Sequence, residues 1–109
     1  MSIPFGTIVL TDFPFTDLTA VKRRPALVIS THNEHRVDVV VAYITSVPRN
    51  DQDAAPIDPT PATGLKVPSM VRFDKIATIN QDIISGRLGA VDAEWVTGNR
   101  QKFFGVFGF

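Results

Sequence analysis

Short runs of β-branched and apolar residues, each cut off by proline, glycine or a polar cluster, recur along this chain up to Val91. That punctuation predicts a chain of short strands. Gly6 to Phe13 is the first, bounded by Gly6 and Pro14. Arg24 to Ser30 is the second, and its nearly unbroken apolar run is what a strand covered on both faces requires. Val37 to Thr45 is the third. Ser69 to Ile79 is the fourth, long enough to imply a bend, and Arg87 to Val91 is a short fifth. Asn80 to Ile84 reads as a helical turn. Many short antiparallel strands with short connections point to a compact, strongly bent sheet or small barrel.

One helix closes the series. Asp92 is its N-cap, and Glu94 lies in the first turn, where the helix dipole favours negative charge. The helix is expected to run to about Phe104, with Trp95, Val96, Phe103 and Phe107 roughly on one face and Gly98 and Gly105 weakening it. The tail Phe103-Phe104-Gly105-Val106-Phe107-Gly108-Phe109 is unusually aromatic. Core packing and a subunit interface are both open readings of it.

The segment Ser46 to Val67 is irregular and holds Pro48, Pro56, Pro59 and Pro61; Ala55 to Ile57 is a possible short edge strand inside it. Residues 14 to 23 form a second loop, rich in turn formers. At 109 residues the chain fits one domain, 1–109. Formal net charge is zero, which argues against a protein that coats nucleic acid by bulk electrostatics. The neutrality is a sum of patches: Lys22, Arg23 and Arg24 are contiguous, and Asp51, Asp53 and Asp58 gather elsewhere. There is no cysteine, so disulfides, thiolate metal sites and a cysteine nucleophile are excluded. No basic leader and no apolar run near the ~20 residues of a membrane helix are present, so the expectation is a cytoplasmic protein without a membrane partner.

Candidate chemistry lies at strand ends. Arg24 precedes Pro25, which holds Arg24 extended at the mouth of its strand. Thr45 and Ser46 are adjacent hydroxyls ending the third strand, able to donate to a phosphate oxygen. Arg72 and Asp74 are two apart on the fourth strand and so share a face, with Met70 and Ile76 at its ends. A carboxylate beside an arginine stays ionised and can take a proton from a hydroxyl. His32 and His35 flank Glu34 in a polar turn, where a solvated turn explains them better than a metal site. No nucleotide-binding, serine-hydrolase or zinc-protease motif is present.

Several of these segments together resemble the MazF/PemK (Kid-like) ribonuclease toxins of bacterial toxin–antitoxin systems. They are Gly6-Thr7-Ile8-Val9-Leu10, Phe13-Pro14-Phe15-Thr16-Asp17-Leu18, Lys22-Arg23-Arg24-Pro25-Ala26-Leu27-Val28-Ile29-Ser30, Ile44-Thr45-Ser46, Gly64 through Ile79, and Gly86-Arg87-Leu88-Gly89 with the terminal helix. The resemblance implies an SH3-like barrel with a C-terminal helix, of the CcdB/PemK/MazF type, acting as a homodimer. It implies metal-independent cleavage of single-stranded RNA without a cofactor, and a small cognate antitoxin protein that blocks the site. Arg24, Thr45, Ser46, Arg72 and Asp74 match the family's catalytic positions. Asp17, Lys22, Arg23, Lys66, Ser69 and Lys75 fall in the matching segments as candidate RNA contacts. The first loop departs from some members, offering neither a His nor a Glu. Two other functions are carried on such a fold: a non-catalytic SH3-like binding module, and a gyrase-poisoning toxin of the CcdB type.

Overall fold

The computed structural model describes residues 2–12, 23–48 and 50–109. Among them six strands form one antiparallel sheet: β1 (Thr7–Asp12), β2 (Arg23–Val28), β3 (Asp38–Thr45), β4 (Ala54–Ile57), β5 (Ser69–Asn80) and β6 (Gly86–Ala90). Their spatial order is β4-β5-β3-β2-β1-β6. One helix, α1 (Ala93–Phe107), packs on the sheet, and one-turn 3-10 helices occupy Asn33–His35 and Gln81–Ile83. No helix of the described residues is long and apolar enough to cross a membrane.

Alternation along β1 to β3 divides the apolar residues into two layers. Val9, Ala26, Val28, Val39, Val41 and Ile79 build one, with Ile3. Ile8, Leu27, Ala42, Ile44, Ala55, Ile57, Val71 and Phe73 build the other, and α1 covers it through Trp95, Phe103 and Val106. Ile8 and Val9 are neighbours in the chain, face opposite ways and are both fully buried. This is the two-sided burial that the continuous apolar run of β2 requires.

The ends of the sheet curl towards each other, and the turn after β4 bridges them. The Ala90 N–H donates to the Ala62 carbonyl at 2.9 Å. Two glycines permit the approach. A Cβ on Gly89 would stand 2.2 Å from the Ala62 oxygen, and one on Gly64 would stand 2.0 Å from the Leu88 oxygen. Gly64 also has a φ of +70°, in the left-handed region that favours glycine. The result is a curled half-barrel.

The edge strand β4 is the one expected at Ala55 to Ile57, and α1 covers its outer side. Trp95 Nε1–H donates to the Pro56 carbonyl at 2.9 Å and Lys102 Nζ to the Ala54 carbonyl at 2.9 Å. In an antiparallel strand a residue's N–H and C=O point the same way. The missing N–H of Pro56 therefore faces the outer edge, where no ladder bond is lost.

The helix starts as expected: the Asp92 carboxylate accepts from the Trp95 N–H at 2.8 Å. It runs to Phe107, past Gly105, and ends at Gly108 with a φ of +72°, a left-handed C-terminal glycine. The aromatic tail divides between the two readings. Phe103 lies 5.6 Å edge-on to Phe73, whereas Phe104, Phe107 and Phe109 are exposed.

Candidate active site

β2 and β3 pair only over Ala26–Val28, with Ala26 opposite Tyr43. Beyond that point Arg23, Arg24 and Pro25 keep their pairing with β1 alone. Pro25, which has no N–H to donate, lies where the strands part. A cleft of about 430 Å³ opens there, within the range of ligand sites. Arg24, Tyr43, Thr45, Ser46, Lys66 and Ser69 contribute its polar wall, and Leu10, Leu65 and Leu88 its apolar floor.

Five of the residues singled out in the sequence thus meet in one cleft: Arg24, Thr45, Ser46, Lys66 and Ser69. Thr45 is buried, and its Oγ1 accepts the Val47 N–H at 3.1 Å. It therefore shapes the turn while keeping its own hydroxyl proton to donate. Ser69 Oγ donates to the Val67 carbonyl at 2.9 Å, and Ser46 and Lys66 are exposed. The Nε of Arg24 is buried with no hydrogen-bond partner among the described residues. A buried guanidinium nitrogen left unpaired is costly unless a ligand supplies the acceptor. Arg23 is exposed at the start of β2, opposite Asp12. Asp17, Lys22 and the first loop lie outside the described residues.

Arg72 and Asp74 are placed beside the cleft rather than in its wall. Tyr43 is the cross-strand partner of Arg72, and directly paired residues share a face. Thr11 pairs with Arg24, and Arg24 is two residues from Ala26, which pairs with Tyr43. Arg24, Tyr43, Thr45 and Arg72 therefore lie on one face of the sheet, with β3 between the two arginines.

A bulge in β5 follows Arg72. Ala42 pairs with Ile76 but Tyr43 pairs with Arg72, so Phe73, Asp74 and Lys75 fall between the two registers. This overturns the expectation that Ile76 ends the Arg72 face: the bulge reverses the alternation, and Ile76 packs with Val71 and Phe73. Asp74 stays beside Arg72. Arg72 Nε donates to Asp74 Oδ1 at 3.1 Å and Nη2 to Oδ2 at 2.6 Å. These hydrogen bonds to Asp74 raise the Arg72 guanidinium above its ordinary value, against the opposing effect of burial, and the charge of Asp51 adds to the rise. Arg72 is therefore a permanent cation. Three of its five N–H groups remain for other acceptors.

Two neighbours escaped the sequence reading. Tyr43 stands two residues before Thr45, a spacing that places both on one face of a strand, and Lys75 Nζ lies 5.8 Å from its ring centroid. Asp51, in the loop after β3, had no local signal; only the chain's return along β4 brings it near Arg72. The histidines form the expected polar turn at the far end of β3, with His35 Nε2 3.5 Å from Glu34 and both side chains exposed.

Residues 5–100 match the model of a protein family described as the PemK-like, MazF-like toxin of type II toxin–antitoxin systems. The chain is 34% identical over 96 residues to a probable endoribonuclease MazF of Mycolicibacterium smegmatis, a match covering 80% of this chain and 84% of that protein. Among solved structures, an endoribonuclease in complex with its cognate antitoxin from a mycobacterial species superposes with a TM-score of 0.82 at 20% identity, over 99% of this chain and 97% of that one. The Mycobacterium tuberculosis toxin MazF-mt6 gives 0.80 at 24% identity, over 94% and 97%. MazF from Deinococcus radiodurans gives 0.78 at 20% identity, over 100% and 99%. At these identities the superpositions establish the shared fold.

Proposed function

The chain belongs to the PemK-like, MazF-like toxin family of type II toxin–antitoxin systems, and from that premise we propose that it is an endoribonuclease that cuts single-stranded RNA without a metal ion. The observation that carries this reading is the buried Nε of Arg24, without a partner among the described residues, in a cleft rich in hydroxyls, with a second arginine on the same face. That arrangement suits a phosphodiester oxygen.

In the proposed reaction the 2′-hydroxyl of the RNA attacks its own adjacent phosphorus. Asp74 takes the 2′ proton. Arg24 and Arg72 hold the non-bridging oxygens and stabilise the added negative charge, usually the largest catalytic contribution. Thr45 and Ser46 add hydroxyl donors. Arg23, Lys66, Ser69 and Lys75, with Asp17 and Lys22, contact the RNA around the cut. The products are a 2′,3′-cyclic phosphate and a 5′-hydroxyl end. A small cognate antitoxin and a second copy of the chain complete the proposed assembly.

Incubation of the purified protein with a long RNA, with and without EDTA, tests the proposal. Cuts at short recurrent sequences with cyclic-phosphate and 5′-hydroxyl ends are expected, unaffected by the chelator. Loss of cleavage on chelation would overturn the metal-free mechanism. Binding without any cleavage would favour a recognition module instead.

A further inference from the structure

Cleavage by 2′-hydroxyl attack needs a second proton transfer, because the departing 5′ oxygen must be protonated as it leaves. The arginines are poor sources: a guanidinium stays protonated far beyond neutral pH, and the hydrogen bonds that Arg72 donates to Asp74 hold it protonated more firmly still. Both histidines of the chain, His32 and His35, lie at the opposite end of β3. Aliphatic hydroxyls such as those of Thr45 and Ser46 are weaker acids than a phenol. Lys66 lines the cleft but is exposed to solvent, whereas Tyr43 is half-buried on the cleft wall, on the face shared by Arg24, Thr45 and Arg72.

We propose that Tyr43 is the general acid of the reaction, its phenol delivering the proton that the 5′ oxygen takes up as the P–O5′ bond breaks. The inference rests on the RNA-cleaving reading above. The step balances. The 2′ proton passes to Asp74, the O2′–P bond forms, and the P–O5′ bond breaks with its electron pair on O5′. The phenolic proton passes to O5′. Cyclic phosphate and 5′-hydroxyl leave behind a protonated Asp74 and a Tyr43 phenolate, which solvent resets by carrying one proton from the first to the second.

The surroundings suit a side chain that becomes negative during turnover. Arg24 comes from β2, Arg72 and Lys75 from β5, and Lys66 from the segment before β5; Asp74 and Asp51 are the opposing acids. The Lys75 ammonium lies 5.8 Å from the ring centroid. The ring itself packs on the layer of Val9, Ala26 and Val41, so the phenol is held on the same rigid sheet as Arg24.

The test compares the wild-type protein with Y43F on a single-stranded RNA oligonucleotide holding one mapped cut, and on the same oligonucleotide with sulfur replacing the bridging 5′ oxygen. A thiolate leaves without protonation, so it removes the need for an acid. Y43F is expected to lower kcat at least ~100-fold on the oxygen substrate, with KM within a few-fold, and to approach the wild-type rate on the sulfur substrate. Tyr43 is the only tyrosine of the chain, so phenolate absorbance near 295 nm reports its ionisation alone. The basic limb of the wild-type kcat profile should coincide with that absorbance and vanish in Y43F. An oxygen-substrate rate within threefold of wild type, or a loss that sulfur does not restore, would overturn the assignment. A K66Q loss that sulfur restores, with Y43F active, would move the acid to Lys66. A wild-type protein that cuts no RNA would overturn both readings together; wild-type cleavage beside an active Y43F overturns this one only.

Discussion

The two faces of the curled sheet have opposite chemistry, although neighbouring residues of one strand serve both. On β5, Arg72 projects to the face of Arg24, Tyr43 and Thr45, while Phe73 projects into the layer under α1. The first face leads to a polar cleft holding cations and hydroxyls. The second has a groove of about 280 Å³ between sheet and helix, lined mainly by Phe5, Leu27, Ile29, Phe73, Trp95 and Phe103. One bulge sharpens that division: alternation already puts Asp74 beside Arg72 and Phe73 on the opposite face, and the register shift adds Ile76 to the packing layer. Substitutions on the two faces should therefore separate activity from stability.

The largest effect is expected under the helix. Phe73 is 3% exposed and touches both Trp95 and Phe103, so Phe73→Ala should cost about 3–5 kcal/mol in denaturant unfolding. A cost below about 1 kcal/mol would mean that α1 is not anchored there. Next comes the polar face. Arg72→Ala should lower turnover on RNA by roughly 100-fold or more, about 2.7 kcal/mol of barrier, with stability changed by less than about 1 kcal/mol because the ion pair is partly solvated. Near-normal turnover would remove Arg72 from the site. Gly89→Ala drives a Cβ into the Ala62 and Thr63 backbone. It should cost about 2–3 kcal/mol, and since Leu88 and Gly64 line the cleft, it should also raise KM. A variant with unchanged melting would show that the closure between the β4 turn and β6 yields easily. Smallest is Trp95→Phe, which removes the N–H held by the Pro56 carbonyl. About 1 kcal/mol of stability and no change in RNA end chemistry are expected; altered cleavage would break the division between the faces.

Much of the fold was legible because its signals are local. The five expected strands, the edge strand at Ala55 to Ile57 and the Asp92 cap all stand within a residue or two of the expected places. The helix end was misplaced because Gly105 and Gly108 look alike in sequence. Gly105 has open space around it inside the helix, while Gly108 carries the left-handed turn. At the site, Arg24 and Thr45 were visible as strand-end residues. The bulge was not, because period-two alternation continues on paper from Met70 to Ile76 and nothing in those residues marks where β3 changes register. Tyr43 carried a usable signal in its spacing from Thr45, but an aromatic in an apolar strand looks like core.

Local residue preferences determined which segments extend and which coil, since those choices rest on neighbouring residues and steric preferences over a few positions. Pairing across the sheet decided that β2 parts from β3 beside Pro25, that Arg24 and Arg72 flank β3 on one side, and that Ile76 turns to the packing layer. Each of these depends on pairings between segments distant in the chain, where register, twist and the packing of α1 compete, and no single stretch of residues carries that balance.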